Sequence, residues 1–116
     1  MPDTLQDLSQ QQREFAQARN WDQFHSPKNL ASALIVEAAE LLEHFQWLTE
    51  EQSRALPPEK LEAVGSEIAD VLLYLVQLGN VLGIDPVKAA QAKIPLNAQK
   101  YPADRARGSS KKYDEL

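Results

Sequence analysis

Helical periodicity near 3.6 residues dominates the chain and β-strand alternation is nearly absent, which predicts an all-α fold. The first helix is expected from about Thr4 to Asn20, with Leu5, Leu8, Phe15 and Ala18 as its apolar stripe. The segment "NWDQFHSPKN" connects it to a second helix. Ser26 supplies that helix with an N-cap and Pro27 occupies its first position, where a missing N–H costs nothing. Its apolar pattern carries it to about Leu48. In "TEEQSRALPPEK" a short helical turn begins at Thr49, and the segment closes on Pro57-Pro58. A third helix follows from about Glu59 to Leu82, with Gly83 as its stop. Asp85-Pro86 opens a fourth by the same cap-plus-proline logic, and Pro95 is expected to end or kink it. Residues 1–100 therefore read as one four-helix bundle-like domain. Residues 101–116, "YPADRARGSSKKYDEL", have little core-forming capacity and read as a basic C-terminal tail.

Two of the apolar runs contain acids. "ALIVEAAELLEHF" holds Glu37 and Glu40, and "SEIADVLLYLV" holds Glu67 and Asp70, each pair three residues apart and so on one helix face. Ionised carboxylates are costly to bury unless something compensates them. The second and third helices have a short connection and should be antiparallel neighbours. In such a pair, residues equidistant from the turn lie level. The numbers of Glu37 and Asp70 have the same sum as those of Glu40 and Glu67, and the expected helix ends share that sum. Both acid pairs should therefore meet at one height. Four carboxylates there raise each other's pKa unless a cation neutralises them. Oxygen-only ligation favours Mg2+ or Mn2+ over zinc. Two other readings of the acids stand beside this one. They are solvated faces of amphipathic helices, or they belong to a di-iron bundle. The second needs His three positions after an acid, whereas His44 is four after Glu40.

Composition narrows the class. The 116 residues suit one domain with a modest core and include no Cys, hence no disulfide, thiolate nucleophile or Cys-ligated zinc. The polar start "MPDTLQDLSQQQ" is unlike a signal or transit peptide, and the apolar runs carry charges, so the expectation is a cytoplasmic protein without membrane spans. A net charge of −5 argues against general nucleic-acid affinity. Positive charge is concentrated late, in Lys88, Lys93, Lys100, Arg105, Arg107, Lys111 and Lys112, which suggests that this segment lies near something negative.

Taken together, these segments resemble a known family. Glu37-x-x-Glu40 followed by Glu67-x-x-Asp70 resembles the metal-binding signature of the all-α nucleoside triphosphate pyrophosphohydrolases, the MazG superfamily. "EFAQARNWDQFHSPKNL", "EAAELLEHFQW", "EIADVLLYLV" and "NAQKYPADRARGSSKKY" are similar, in order, to segments of its dCTP pyrophosphatase branch. The resemblance covers roughly Glu14 to Leu116. It implies a MazG-type fold, a homo-oligomer (usually a tetramer) with sites where subunits meet, and cleavage of a nucleoside triphosphate to monophosphate and pyrophosphate. Glu37, Glu40, Glu67 and Asp70 would hold Mg2+ on the phosphates. Catalysis would fall on Glu40, with Glu37 beside it: an acid not fully used as a ligand takes the proton of the attacking water. Trp21, Trp47 and Tyr74 match base-pocket positions, where aromatic faces stack on a base. His25 is a candidate for base or sugar contact. Lys93 and Asn97 match positions that approach phosphate and sugar, and Lys100 shares their helix face as part of a cationic clamp. Where mammalian members of the branch carry His in the first helix, this chain has Gln12, which leaves selectivity among dCTP, its modified forms and dUTP open. The chief rival reading of the whole chain is a non-catalytic helical interaction module whose acidic faces pair with a basic partner.

Overall fold

The computed structural model describes residues 4–116, and those residues form helices without strands. Residues 1–3 of the expected domain lie outside the described residues. Six α-helices follow one another: α1 Leu5–Ala18, α2 Pro27–Glu43, α3 Glu50–Ser53, α4 Pro58–Leu82, α5 Pro86–Lys100 and α6 Ala103–Ala106. Single 3-10 turns cover Asp22–Phe24 and Tyr113–Glu115. The chain groups into two compact units, one reaching to Ile84 and one spanning Asp85–Leu116.

Caps explain most helix limits. Thr4 and Ser26 each accept a hydrogen bond from the backbone N–H three residues on, and Asp85 accepts from Val87 and Lys88. At the end of α4, Gly83 takes φ 69°; its N–H bonds the Asn80 carbonyl and Ile84 N–H bonds the Gly79 carbonyl. This is the left-handed closure that satisfies the last carbonyls of a helix. Asn20 closes α1 in the same way at φ 54°, with Trp21 N–H reaching the Ala16 carbonyl at 2.9 Å.

Two limits differ from expectation. Helix α2 stops at Glu43, not near Leu48. The cause lies downstream. Thr49 and Gln52 form a reciprocal capping box that requires Thr49 to be extended, at ψ 165°, so the helix must break before it. Residues 44–48 make the transition through turns closed by bonds such as Phe45 N–H to the Leu42 carbonyl, 2.8 Å. Helix α5, in turn, runs through Pro95 to Lys100.

In the first unit α2 packs along α4, and α1 packs against α4. Ala16, Leu30, Val64 and Val76 are its buried apolar side chains, and Gln77 is buried with them at 2% exposure. Within the second unit, Tyr101 meets Tyr113 edge to face at 6.2 Å, and Lys100 Nζ lies 5.0 Å from the Tyr113 ring centre. Among the described residues no single helix is long and apolar enough to cross a membrane.

Candidate active site

Helix pairing brings the acids together. Glu37 of α2 and Glu67 and Asp70 of α4 each place a carboxylate oxygen within 4.8 Å of the others. Glu40 lies outside that triple, but its carboxyl is the largest cause of a Glu37 pKa raised to about 7. Burial adds to the shift, followed by the Glu67 carboxyl and the charges of Glu40 and Asp70. The acids meet although α2 ends early. Helix α2 packs along α4 over much of its length, with Leu30, Val64 and Val76 buried in this unit.

Among the described residues no cationic side chain pairs with this cluster. Among the described residues the one ion pair joins Arg54 to Glu50 across a turn of helix, away from the acids. Glu37 Oε2 and Glu67 Oε2 are buried and lack any hydrogen-bond partner. Orphaned oxygens of this kind, in an all-carboxylate set, fit a divalent cation. His44 turns its Nδ1 towards Lys60 Nζ at 3.3 Å and takes no part.

Beside the acids lies a cavity of about 280 Å3, lined by Gln12, Phe15, Trp21, His25, Asp70, Leu73 and Tyr74. Local structure accounts for its walls. The left-handed turn at Asn20 swings Trp21 back onto α1, where its ring meets Phe15 edge to face at 5.6 Å. His25 follows, 6.2 Å from Trp21 ring to ring. Tyr74 is one turn beyond Asp70 on α4 and shares its face. Asp70 belongs to both the carboxylate cluster and the cavity wall, so the two are continuous.

The remaining candidates lie elsewhere. Trp47 is 86% exposed in the turn after α2 and does not line the cavity. Lys93 and Lys100 line a separate cavity of about 510 Å3 in the second unit, together with Arg105 and Tyr113; Asn97 is on the same helix but not in that wall. Gln12, Phe15, Leu73, Arg105 and Tyr113 were not among the sequence candidates for a site. Of these, only Gln12 carried a sequence signal, as the departure from His.

Comparison with known proteins agrees with this architecture. Residues 33–116 match the MazG-like family, a span that includes all four acids. The chain is 44% identical over 115 residues to dCTP pyrophosphatase 1 of Mus musculus and 43% identical to that of Homo sapiens, covering 97% of this chain and 68% of each relative. A pyrophosphatase crystal structure from Archaeoglobus fulgidus superposes with a TM-score of 0.75 at 40% identity, covering 88% of this chain and 95% of the other. By its sequence, its helical fold and these relatives, the chain belongs to the MazG-like family.

Proposed function

We propose that the protein hydrolyses a pyrimidine deoxynucleoside triphosphate, dCTP or a modified dCTP, to the monophosphate and pyrophosphate. The observation that carries this is the continuity through Asp70 of a carboxylate triple with an aromatic-walled cavity, in a chain akin to dCTP pyrophosphatases. Glu37, Glu67 and Asp70, with Glu40, would hold Mg2+ or Mn2+. When bound, the ion would offset phosphate charge and stabilise the pyrophosphate leaving group.

The chain's own residues take the other tasks. Trp21 and Tyr74 flank the base, with His25 as a hydrogen-bonding wall. Glu40 accepts the proton of a water whose oxygen attacks the α-phosphorus, as the bond from that phosphorus to the bridging oxygen of pyrophosphate breaks. On the family resemblance, Lys93, Asn97 and Lys100 contact phosphate and sugar, and Trp47 contributes to a base pocket completed by another copy in a homotetramer. The 86% exposure of Trp47 supports that placement over a core role. Residues 1–100 carry the chemistry in this reading, and the basic segment 101–116 follows them.

The test is a panel of nucleoside triphosphates with Mg2+, scored separately for pyrophosphate and orthophosphate. Pyrophosphate from dCTP is expected. Orthophosphate as first product would overturn the mechanism, and no turnover on any nucleotide would favour a helical interaction module.

A further inference from the structure

Behind the aromatic cavity runs a chain of side-chain hydrogen bonds that links α1, α4 and His25. Asn80 Oδ1 accepts from Arg13 Nη2 at 2.9 Å and from the Ser9 hydroxyl. Asn80 Nδ2 donates to the Ser9 carbonyl and to Gln77 Oε1, each at 3.1 Å. Gln77 Nε2 lies 3.2 Å from His25 Nδ1. Gln77 is 2% exposed, so its amide is shut off from bulk solvent and depends on partners in the fold.

The order of donors and acceptors along this chain is fixed at its far end. A guanidinium can only donate and a backbone carbonyl can only accept. Turning the Asn80 amide over would set its N–H groups against Arg13 and its oxygen against the Ser9 carbonyl. Asn80 is thus held with Nδ2 towards Gln77. Gln77 must answer with its oxygen, which leaves Nε2 facing His25. An amide N–H there demands an acceptor, so Nδ1 carries no proton and the ring's proton sits on Nε2. The ring lines the cavity, and Nε2 is the nitrogen not engaged by Gln77.

We propose that Gln77 is a positioning residue, oriented by Asn80, which sets His25 in its Nε2–H form so that the ring offers a donor to an acceptor atom of the bound nucleotide. The second half rests on the proposed function; the tautomer does not. A pyrimidine carbonyl or a sugar oxygen meets the requirement. A ligand atom that itself donates does not.

The experiment uses 15N-labelled full-length protein and long-range 1H–15N correlation of the imidazole nitrogens at about pH 8, above the ordinary imidazole range. The parent should show the Nε2–H form. Gln77→Glu keeps the shape and the bond from Asn80 but presents an oxygen to Nδ1, so His25 should switch to Nδ1–H. Asn80→Asp should produce the same switch without touching His25, because Gln77 must then turn its N–H groups to the new carboxylate. For dCTP hydrolysis, Gln77→Glu should raise KM about three- to tenfold with kcat little changed, the scale of one hydrogen bond. A parent in the Nδ1–H form, or a folded Gln77→Glu protein still in the Nε2–H form, would overturn the relay. A switched tautomer with unchanged KM would overturn its role in substrate selection. Absence of hydrolysis by the parent would sink the proposed function instead, and the tautomer would still decide the relay.

Discussion

Asp70 is the residue on which the carboxylate cluster and the cavity depend together, and its charge decides the sign of one measurable effect. In the metal-free protein Asp70 faces Glu37 and Glu67, and among the described residues no Lys or Arg pairs with any of them. Asp70→Asn keeps the shape and removes one of the mutually repelling charges. At neutral pH and in EDTA the variant should therefore melt at the parent's temperature or above it. A cation that binds only the folded state stabilises by about 2.7 kcal/mol at a hundredfold excess over Kd. The parent should show that rise with Mg2+, and Asp70→Asn should largely lose it together with activity. Thermal melts of the two proteins in EDTA and in Mg2+ check the prediction. A destabilised variant that still gains fully from Mg2+ would place the metal elsewhere.

At the scale of elements, the α2–α4 pair stores this repulsion as a pH dependence. Glu37 has its pKa raised from 4.5 to about 7, chiefly by the Glu40 carboxyl beside it, then by burial. A carboxyl that holds its proton more tightly when folded makes folding take up a proton between those two values. Its contribution to stability is present at and below about pH 4.5 and is lost as pH rises towards 7. Urea melts in EDTA across that window should show a component of stability that falls with rising pH. Glu40→Gln should shrink it, because an amide donor in place of the acid favours ionised Glu37. With Mg2+ the trend should reverse, since ligation requires deprotonated carboxylates. Much of this pair was legible in the sequence. Caps at Ser26 and Asp85 and the stop at Gly83 are local chemistry, written within a few residues. The expectation that the acids meet comes from their spacing together with the antiparallel pairing of α2 and α4; the structure brings Glu37, Glu67 and Asp70 within one cluster, and Glu40 lies outside it. The end of α2 was not legible, because no Gly or Pro marks it; a capping box beyond it does. Gln77 and Asn80 give no signal in the sequence for a different reason. They are uncharged, and an amide in an apolar run raises no obvious question until its buried partners are seen.

At the scale of the whole molecule, the first unit keeps more apolar surface open than a finished core would. Its buried apolar side chains are Ala16, Leu30, Val64 and Val76, none of them aromatic. Ile35, Val36 and Leu42 of α2 and Leu61 and Ile68 of α4 are each more than half exposed, and Trp47 is 86% exposed. Fully burying an apolar side chain of this size contributes about 1.5–3 kcal/mol, and covering these half-exposed ones contributes about half of that each, which works against the cost of association. On the proposed function, a second copy of the chain would cover this face and take Trp47 into a base pocket. The protein should therefore run as a homo-oligomer, a tetramer, in light scattering coupled to size exclusion. Ile35, at 68% exposure, is outside the acids and the cavity and tests this without touching the chemistry. Ile35→Glu should shift the protein to a smaller species and lower its melting temperature in a concentration-dependent way, because stability shared across an interface follows mass action. Activity should fall with the loss of assembly and recover in part at high protein concentration. A parent that is monomeric at tens of micromolar, with full activity, would show that each chain builds its site alone and that Trp47 serves none.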